Sequence, residues 1–442
     1  MTQRAFLRIA ACGALLLVMS AAPAAFAQTV GTSRKRVHDP EAEMLQKLLA
    51  DARTALDQKD YATASQKYEA YLAKNPNSAY AHFQLGYTYT AMERPADAKP
   101  EYAKAIELDP KMDAAYTNLG MTLLELRQPA DAVEPLEKAA ELAPADAHAR
   151  FLAGVALEQS GKIPEASEQY RAAEKLDGKD LEIREALGHA LLGANRPGEA
   201  EAEFRAAIAL RPDSARAHLG LAEALIAEKK PDEAAAQLDD YLKSKPNDAN
   251  ARVDRASILI NAGKFDDGIA ELDRAAALKP EDAAALGLRA QAYLGEKKYD
   301  AAIPVLEKLE TLNPRDAQYP AALGRAYLEK KDYPDAIRFL SAAFKMEPGS
   351  NDVLGTLVTA EYASGNYQAA LQGLNLLSQR KPLPLGSLFL RAACYDKLGG
   401  TAQALDAYQK FLELNKDLNS DMYFVASERA RFLKRQLQEK KR

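Results

Sequence analysis

Nine of the 22 prolines in this sequence are separated from one another by multiples of 34 residues. They are Pro76, Pro110, Pro144, Pro212, Pro246, Pro280, Pro314, Pro348 and Pro382. Gly178 and Lys416 fill the two gaps in the same register. A fixed period of this length indicates a repeat architecture, in which each repeat buries its apolar face only by stacking on its neighbours. Eleven repeats follow when the first begins at Leu45.

Two positions of the 34-residue repeat hold small side chains. Position 20 is Ala in ten repeats and Gly268 in the seventh, and position 8 is Ala or Gly in all except the tenth, which has Val358. Position 24 is always aromatic or Leu, as in Tyr68 and Phe204. Small residues let two helix backbones approach closely, and a bulky residue fills the space beside them. With apolar residues at helical spacing, the pattern predicts two amphipathic helices per repeat, the second ended by the proline.

The small residues at positions 8 and 20, the bulky residue at 24 and the proline at 32 resemble the tetratricopeptide repeat (TPR) family over residues 45–416. The resemblance implies an all-α fold, a right-handed superhelical solenoid of about eleven helix-turn-helix repeats closed by a capping helix. This sequence lacks the family's Trp at position 4, where it has residues such as His82, Tyr116, His218 and Leu286.

The first 27 residues have the features of a cleavable secretory signal. Arg4 and Arg8 precede an apolar run, and Ala25-Phe26-Ala27 gives the small-x-small cleavage pattern. We therefore expect cleavage near Ala27 and a periplasmic or secreted protein. Residues 9–12 also resemble a lipoprotein box that would lipidate Cys12, although most of the apolar run follows this cysteine.

The remaining chain is expected to form three segments. They are a flexible leader over residues 28–40, the repeat solenoid over 41–416, and a capping helix with a basic tail over 417–442. The tail carries seven basic residues from Arg429 onward. Two interpretations stay open for it: contact with anionic lipid or acidic polymer, and stabilisation of the C-terminal helix dipole.

Composition and motifs argue against several classes of protein. The net charge of −5 does not favour nonspecific nucleic-acid binding, and no stretch after the signal has the 18 or so apolar residues of a membrane span. Five His and two Cys leave little material for a metal site, and the sequence has no phosphate loop, dinucleotide fingerprint or nucleophile elbow. We predict a protein that is not an enzyme and needs no cofactor or metal.

Family geometry places repeat positions 2, 5, 9, 12 and 13 on the concave face, where two groups of residues are candidates for binding. The first is apolar and consists of Tyr80, Phe83, Tyr87, Met121 and Phe151. Rigid aromatic rings in a groove are typical of a peptide-binding hot spot. The alternative is that these rings fill helix interfaces in the core.

The second group is polar and consists of His148, Glu182, Glu185 and His189, with Glu223 nearby in the sixth repeat. Glu185 and His189 are separated by one helical turn, a spacing that can bring two ligands to one metal ion. Three interpretations are open: a divalent metal site, a site for a basic peptide, and a solvated face of ion pairs.

The sequence therefore predicts a non-catalytic scaffold of the cell envelope that binds a protein or peptide in its groove. The alternative is a polysaccharide-binding or cell-wall polymer-binding accessory of an export system, with Tyr80 and Tyr87 as aromatic platforms. The family's carboxylate clamp needs Asn at position 9, which no repeat has here. The resemblance therefore does not imply recognition of chaperone tails. Neither partner identity nor oligomeric state follows from the sequence.

Overall fold

A computed structural model describes residues 39–418 and 420–439, and within these ranges all regular secondary structure is helical. The predicted signal over residues 1–27, most of the predicted leader and the end of the basic tail at 440–442 lie outside the described residues. The described helices, α1 to α23 in chain order, are Pro40–Asp57, Tyr61–Leu72, Ala79–Ala91, Pro95–Leu108, Asp113–Glu125, Pro129–Leu142, Ala147–Gln159, Ile163–Leu176, Leu181–Gly193, Pro197–Leu210, Ala215–Ala227, Pro231–Ser244, Ala249–Asn261, Phe265–Leu278, Ala283–Gly295, Tyr299–Leu312, Gln318–Glu329, Tyr333–Met346, Asn351–Ala363, Tyr367–Arg380, Leu385–Lys397, Thr401–Leu414 and Asp421–Glu439.

Helices α1 to α22 form eleven hairpins, one for each predicted repeat. In every repeat the odd-numbered helix comes first and packs against the even-numbered helix that follows it. The chain divides into two compact blocks, an N-terminal block up to Ser244 and a C-terminal block from Lys245. Within each block every helix also packs on the next one along the chain. The predicted all-α repeat fold is confirmed.

The packing inside each hairpin explains the small residue at position 8. A Cβ atom added to Gly86 would lie 2.9 Å from the ring of Tyr102, and one added to Gly188 would lie 2.7 Å from the ring of Phe204. Carbon atoms that are not bonded pack at about 3.5 to 4.0 Å, so in these two repeats the bulky ring at position 24 leaves no room for a methyl group at position 8. Ala at position 20 is fully buried in all ten repeats that have it.

Each hairpin turns through a left-handed residue at position 15. Seven of these eleven residues are not glycine: Lys59, Glu93, Arg127, Asn195, Lys229, Lys297 and Lys331. The other four are Gly161, Gly263, Gly365 and Gly399. The residue after each of them donates its N–H five residues back, as Asp60 does to the Ala55 carbonyl at 2.8 Å. This Schellman arrangement satisfies carbonyls at the end of the first helix.

The helix starts follow the signals in the sequence. Pro95 and Pro197 stand in the first turn of α4 and α10, where their lack of an N–H costs nothing. The first helix α1 begins at Pro40 and is capped by the Asp39 carboxylate, which accepts from the Glu41 N–H at 3.0 Å. The first helix therefore begins one residue before residue 41, the predicted start of the solenoid.

The predicted capping helix is present as α23. Ala426, Ala430 and Leu433 are its buried residues, and they belong to a core cluster shared with α21 and α22. Arg429 donates twice to the Asp396 carboxylate on α21, both times at 2.7 Å, which ties the cap to the last repeat.

In four repeats a polar side chain occupies position 4, where the family has tryptophan. Each of these four side chains hydrogen-bonds to the carbonyl at position 32 of the preceding repeat and to a polar group at position 23 of its own repeat. In the fifth repeat, for example, Arg184 donates to the Gly178 carbonyl at 2.7 Å and to the Glu203 carboxylate at 2.6 Å. The other three bridges are formed by His82, His218 and Arg252. Hydrogen bonds thus connect adjacent repeats where a large ring would otherwise pack.

Candidate functional site

The candidate residues lie on the first helices of repeats two to six, all within the N-terminal block. Along this row α3 contacts α5, α5 contacts α7, and α9 contacts α11, while α7 and α9 both pack on α8. Side chains at positions 2, 5, 9, 12 and 13 of α3, α5, α7, α9 and α11 therefore form neighbouring strips. We call this set of side chains the first-helix surface.

The apolar end of the first-helix surface presents two tyrosines. The Tyr80 side chain is exposed, with 42% of its area accessible, and Tyr87 is partly buried. Burial raises the pKa of the Tyr87 hydroxyl, and the nearby Tyr61 adds to this effect. Met121 on α5 is also partly buried. These three side chains are available to a ligand.

Phe83 and Phe151 were predicted either to line the groove beside these tyrosines or to fill helix interfaces, and the structure places both rings in interfaces. Phe83 is only 9% exposed and its ring lies 5.9 Å from that of Tyr102, while Phe151 is 4% exposed and lies 5.6 Å from Tyr170. Position 5 points toward the bulky residue at position 24, so its ring fills the interface between the two helices of the repeat. Their role is therefore in packing.

His148 marks the middle of the surface. Its ring stacks on Phe151 with centroids 6.4 Å apart, and burial lowers the pKa of the imidazole. Its Nε2 atom is buried and has no hydrogen-bond partner among the described residues. A buried polar atom in this state gains free energy when a ligand supplies a partner.

The acidic end of the surface centres on α9. Burial, together with Asp180, raises the pKa of Glu182, which is partly buried. Glu185 is buried and accepts a hydrogen bond of 2.5 Å from the Ser214 hydroxyl, with Arg216 Nε at 3.7 Å. Glu185 is thus occupied by its contacts to Ser214 and Arg216, whereas Glu182 remains partly exposed.

His189 completes this end. Its ring meets the Phe204 ring edge-on at 5.0 Å, and burial, with a smaller contribution from Arg216, lowers its pKa to about 4. The imidazole is therefore neutral at physiological pH. Across the described ranges no group of three side chains is placed to hold a metal ion, so the geometry gives no support to the metal interpretation of Glu185 and His189.

Charge is distributed unevenly over the positions that form this surface. In repeats two to six these positions carry five carboxylates and one guanidinium. They are Glu125, Glu158, Glu182, Glu185, Glu223 and Arg216. In repeats seven to eleven the same positions carry three carboxylates and two cations. The first-helix surface is therefore acidic, with aromatic side chains at one end.

Sequence reasoning missed two contributors to this surface. Arg216 occupies position 2 of the sixth repeat and lies close enough to influence His189 and Glu182 electrostatically. Burial, with Glu93 adding to the effect, raises the pKa of Glu125 at position 13 of the third repeat. The register already placed both residues on the predicted face, so counting charges at these positions would have found them.

Models of the tetratricopeptide repeat family match most of the described chain. One model matches residues 117–180, 185–249 and 253–320, a second matches 55–120 and 327–388, and a third matches 387–417. The chain belongs to the tetratricopeptide repeat family. Its members are typically non-catalytic scaffolds, which supports a role in protein interaction.

Solved structures resemble parts of the chain. YrrB, described as a TPR protein with an unusual peptide-binding site, is 21% identical over 42% of this chain and 97% of its own, with a TM-score of 0.40. PilF of Pseudomonas aeruginosa is 24% identical over 48% and 96%, with a TM-score of 0.40. Yeast Tom70 is 15% identical over 90% and 97%, with a TM-score of 0.35.

No curated protein matches the sequence. Within residues 39–418 and 420–439, every helix is too short or too polar to cross a bilayer.

Proposed function

We propose that this protein is a non-catalytic scaffold that binds an extended segment of a partner protein on the first-helix surface of repeats two to six. The observation that carries the proposal is the charge of this surface. In addition to the buried Glu185, which faces Arg216, it carries Glu125, Glu158, Glu182 and Glu223, beside the exposed ring of Tyr80 and the partly buried ring of Tyr87. A segment with Lys or Arg side chains next to apolar residues complements such a surface.

Glu182 is the residue at which a ligand cation gains most. Its pKa is raised because burial disfavours its charge more than Arg216 compensates. A ligand ammonium or guanidinium nearby would supply the missing positive partner, and a hydrogen bond between charged groups contributes about 1.5 to 3 kcal/mol. His148, whose buried Nε2 has no hydrogen-bond partner among the described residues, lies in the fourth repeat, between the repeats of Glu182 and of the tyrosines.

The proposal places the scaffold in the cell envelope. This rests on the charged start, apolar run and Ala25-Phe26-Ala27 pattern of residues 1–27. Protease protection of the chain in spheroplasts, compared with intact cells, tests this location. Digestion in spheroplasts but not in intact cells supports a periplasmic site, and protection in both contradicts it.

The binding proposal is tested by photo-crosslinking in cells and by selection of peptides. A photoreactive amino acid at Tyr80 is expected to capture a protein, whereas the same amino acid at the exposed Leu176 on α8 is not. Random peptides selected on the purified chain are expected to be enriched in Lys and Arg. A lack of such enrichment contradicts the acidic surface as the binding site.

The selected peptides then serve as probes for variants. Glu182→Gln combined with Glu223→Gln is expected to weaken binding about tenfold, because two carboxylates near the ligand are neutralised. Glu134→Gln combined with Glu165→Gln, on exposed sites of second helices, is the matched control and should leave affinity unchanged. Equal effects of both pairs would refute a localised site.

The polymer-binding alternative draws on the exposed Tyr80 ring, since a tyrosine can stack on a sugar while its hydroxyl bonds to the rim. It predicts no protein adduct at Tyr80 and binding of uncharged or cationic glycans on an array. Loss of that glycan binding in Tyr80→Ala would then replace the peptide proposal.

A further inference from the structure

The capping helix α23 has an outward face that is unlike the end of a soluble repeat array. Terminal repeats normally present a polar outer surface. Here Phe424 is 67% exposed, Phe432 is 46% exposed and Val425 is 43% exposed. Val425 and Phe432 are seven residues apart and share one side of the helix, with Phe424 adjoining them. The opposite side, with Ala426 and Leu433, is buried in the C-terminal core.

Exposed basic residues lie on the same helix as these apolar side chains. Arg431 is exposed beside Phe432 and pairs with Glu428 at 2.7 Å. Lys434 and Arg435 are exposed and form no ion pair with a residue that the structure describes. The sequence over residues 429–442 contains seven cations and one carboxylate, whereas the other 428 residues contain 51 cations and 62 carboxylates. Positive charge is therefore concentrated toward the C-terminal end of an acidic chain, and four of these seven cations lie on α23.

We propose that the outer face of α23 binds an anionic phospholipid surface, with Phe424 and Phe432 inserted at the boundary between headgroups and acyl chains. A helix that combines exposed Phe side chains with Lys and Arg lies stably in that interface. Each Lys or Arg near an anionic membrane strengthens binding, and the acidic remainder of the chain is repelled by the same surface. The helix therefore determines which part of the protein meets the membrane.

An acidic protein is a less suitable occupant of this face. Lys is depleted at protein interfaces, because its long hydrated side chain loses entropy when it is fixed. Lys434 and Arg435 are exposed and pair with no residue in the described ranges, which leaves them available to lipid headgroups. The phenyl rings stand out from a convex helix, so a fluid acyl layer covers them without a preformed pocket.

Vesicle binding tests the proposal. The chain from Gln28 onward contains every described residue and omits the apolar run that would itself partition into lipid. It is expected to sediment with vesicles of equal parts phosphatidylcholine and phosphatidylglycerol, and much less with phosphatidylcholine alone. No sedimentation with the anionic vesicles overturns the proposal.

Variants locate the contact. Arg431→Gln, Lys434→Gln and Arg435→Gln together are expected to weaken partitioning about 100-fold. Phe424→Ser with Phe432→Ser is expected to weaken it at least about tenfold. The charge-matched control is Lys47→Gln, Lys59→Gln and Lys74→Gln, which removes three exposed cations from the first repeat. A control that loses as much binding as the α23 variant would show nonspecific attraction and overturn the proposal.

A spectroscopic probe gives a readout that does not depend on sedimentation. The chain has no Trp, so Phe424→Trp introduces a single reporter at the most exposed ring. Its fluorescence should shift to the blue with anionic vesicles and be quenched by brominated lipid. Light scattering tests whether the chain forms a dimer through this face. If it does, if Phe424→Ser with Phe432→Ser makes it monomeric, and if vesicles cause no fluorescence shift, the face is a contact between two copies and the lipid proposal is overturned.

Discussion

Replacing Arg184 with Leu should open the fifth repeat locally. Arg184 on α9 reaches three groups: it donates to the Gly178 carbonyl at 2.7 Å and to Glu203 at 2.6 Å, and it pairs with Glu174 at 2.8 Å. The three charged side chains are only 17% to 21% exposed. Arg184→Leu keeps an apolar stem and leaves two carboxylates close together without their cation.

The expected cost follows from the burial of these groups. Burial already raises the pKa of Glu203 although Arg184 opposes it, which shows that its charge is poorly solvated in the fold. Breaking a buried ion pair by removing one partner costs about 3 to 5 kcal/mol, and partial exposure argues for the lower end, about 3 kcal/mol. At about 1.4 kcal/mol per factor of ten, local opening becomes roughly 150-fold more frequent.

Amide hydrogen exchange of the full chain is the appropriate assay, because long repeat arrays open locally and do not unfold in two states. Amides of α9 and α10 should lose protection by this factor, whereas Arg211→Leu at an exposed position should change nothing. The loss should shrink at acidic pH, since protonation of Glu203 removes the uncompensated charge. Adding Glu174→Gln and Glu203→Gln to the Leu variant should restore most protection.

A change of less than tenfold in Arg184→Leu would refute the reasoning, because it would mean that water or local relaxation replaces the guanidinium at little cost. The reasoning would also be refuted if Arg184→Leu lost the same protection after Glu174→Gln and Glu203→Gln had been introduced. The cost would then come from lost packing and not from uncompensated charge.

Three further changes test the packing, the turns and the charges of the fold. Gly188→Ala should destabilise α9 and α10 by about 1 to 3 kcal/mol, measured by amide exchange of these helices, because the new methyl meets the Phe204 ring. Gly355→Ala, with open space around its Cα, should stabilise its helix by up to about 1 kcal/mol in the same assay. Gly161→Ala should cost about 1 kcal/mol, because the residue has a φ of 80°. Burial raises the pKa of Glu361 to about 7, so the free energy of unfolding should fall by about 2 to 3 kcal/mol as pH rises from about 4.5 to above 7. Glu361→Gln should abolish that dependence in melts across pH, and an unchanged profile would contradict it.

Much of the fold was predictable because each repeat depends on signals that lie close together in the sequence. Pro95 and Pro197 mark helix starts, and the small residue at position 8 is matched by a large one sixteen residues later. These signals need only one hairpin to take effect. The same locality explains why eleven repeats in unbroken register predicted eleven hairpins in the structure.

The candidate site was predicted less completely, because burial depends on the neighbouring helix. Tyr80 and Phe83 are three residues apart and both were expected to face a ligand. The structure leaves Tyr80 accessible and buries Phe83 against Tyr102. The position of a residue in the helical repeat defines the direction of its side chain. Whether that side chain is exposed to solvent depends on how much of the helix surface the second helix covers.

By itself, then, the sequence determined the class of fold, the number of repeats and the acidic face, because these follow from period, local helix signals and charge. Only the tertiary structure decided that Phe83 and Phe151 belong to the core, that Arg184 bridges adjacent repeats in place of a tryptophan, and that α23 exposes Phe424. The physical reason is that burial and hydrogen bonding depend on both of the helix surfaces that meet at an interface. The 34-residue pattern describes each helix by itself and not the surface that packs against it.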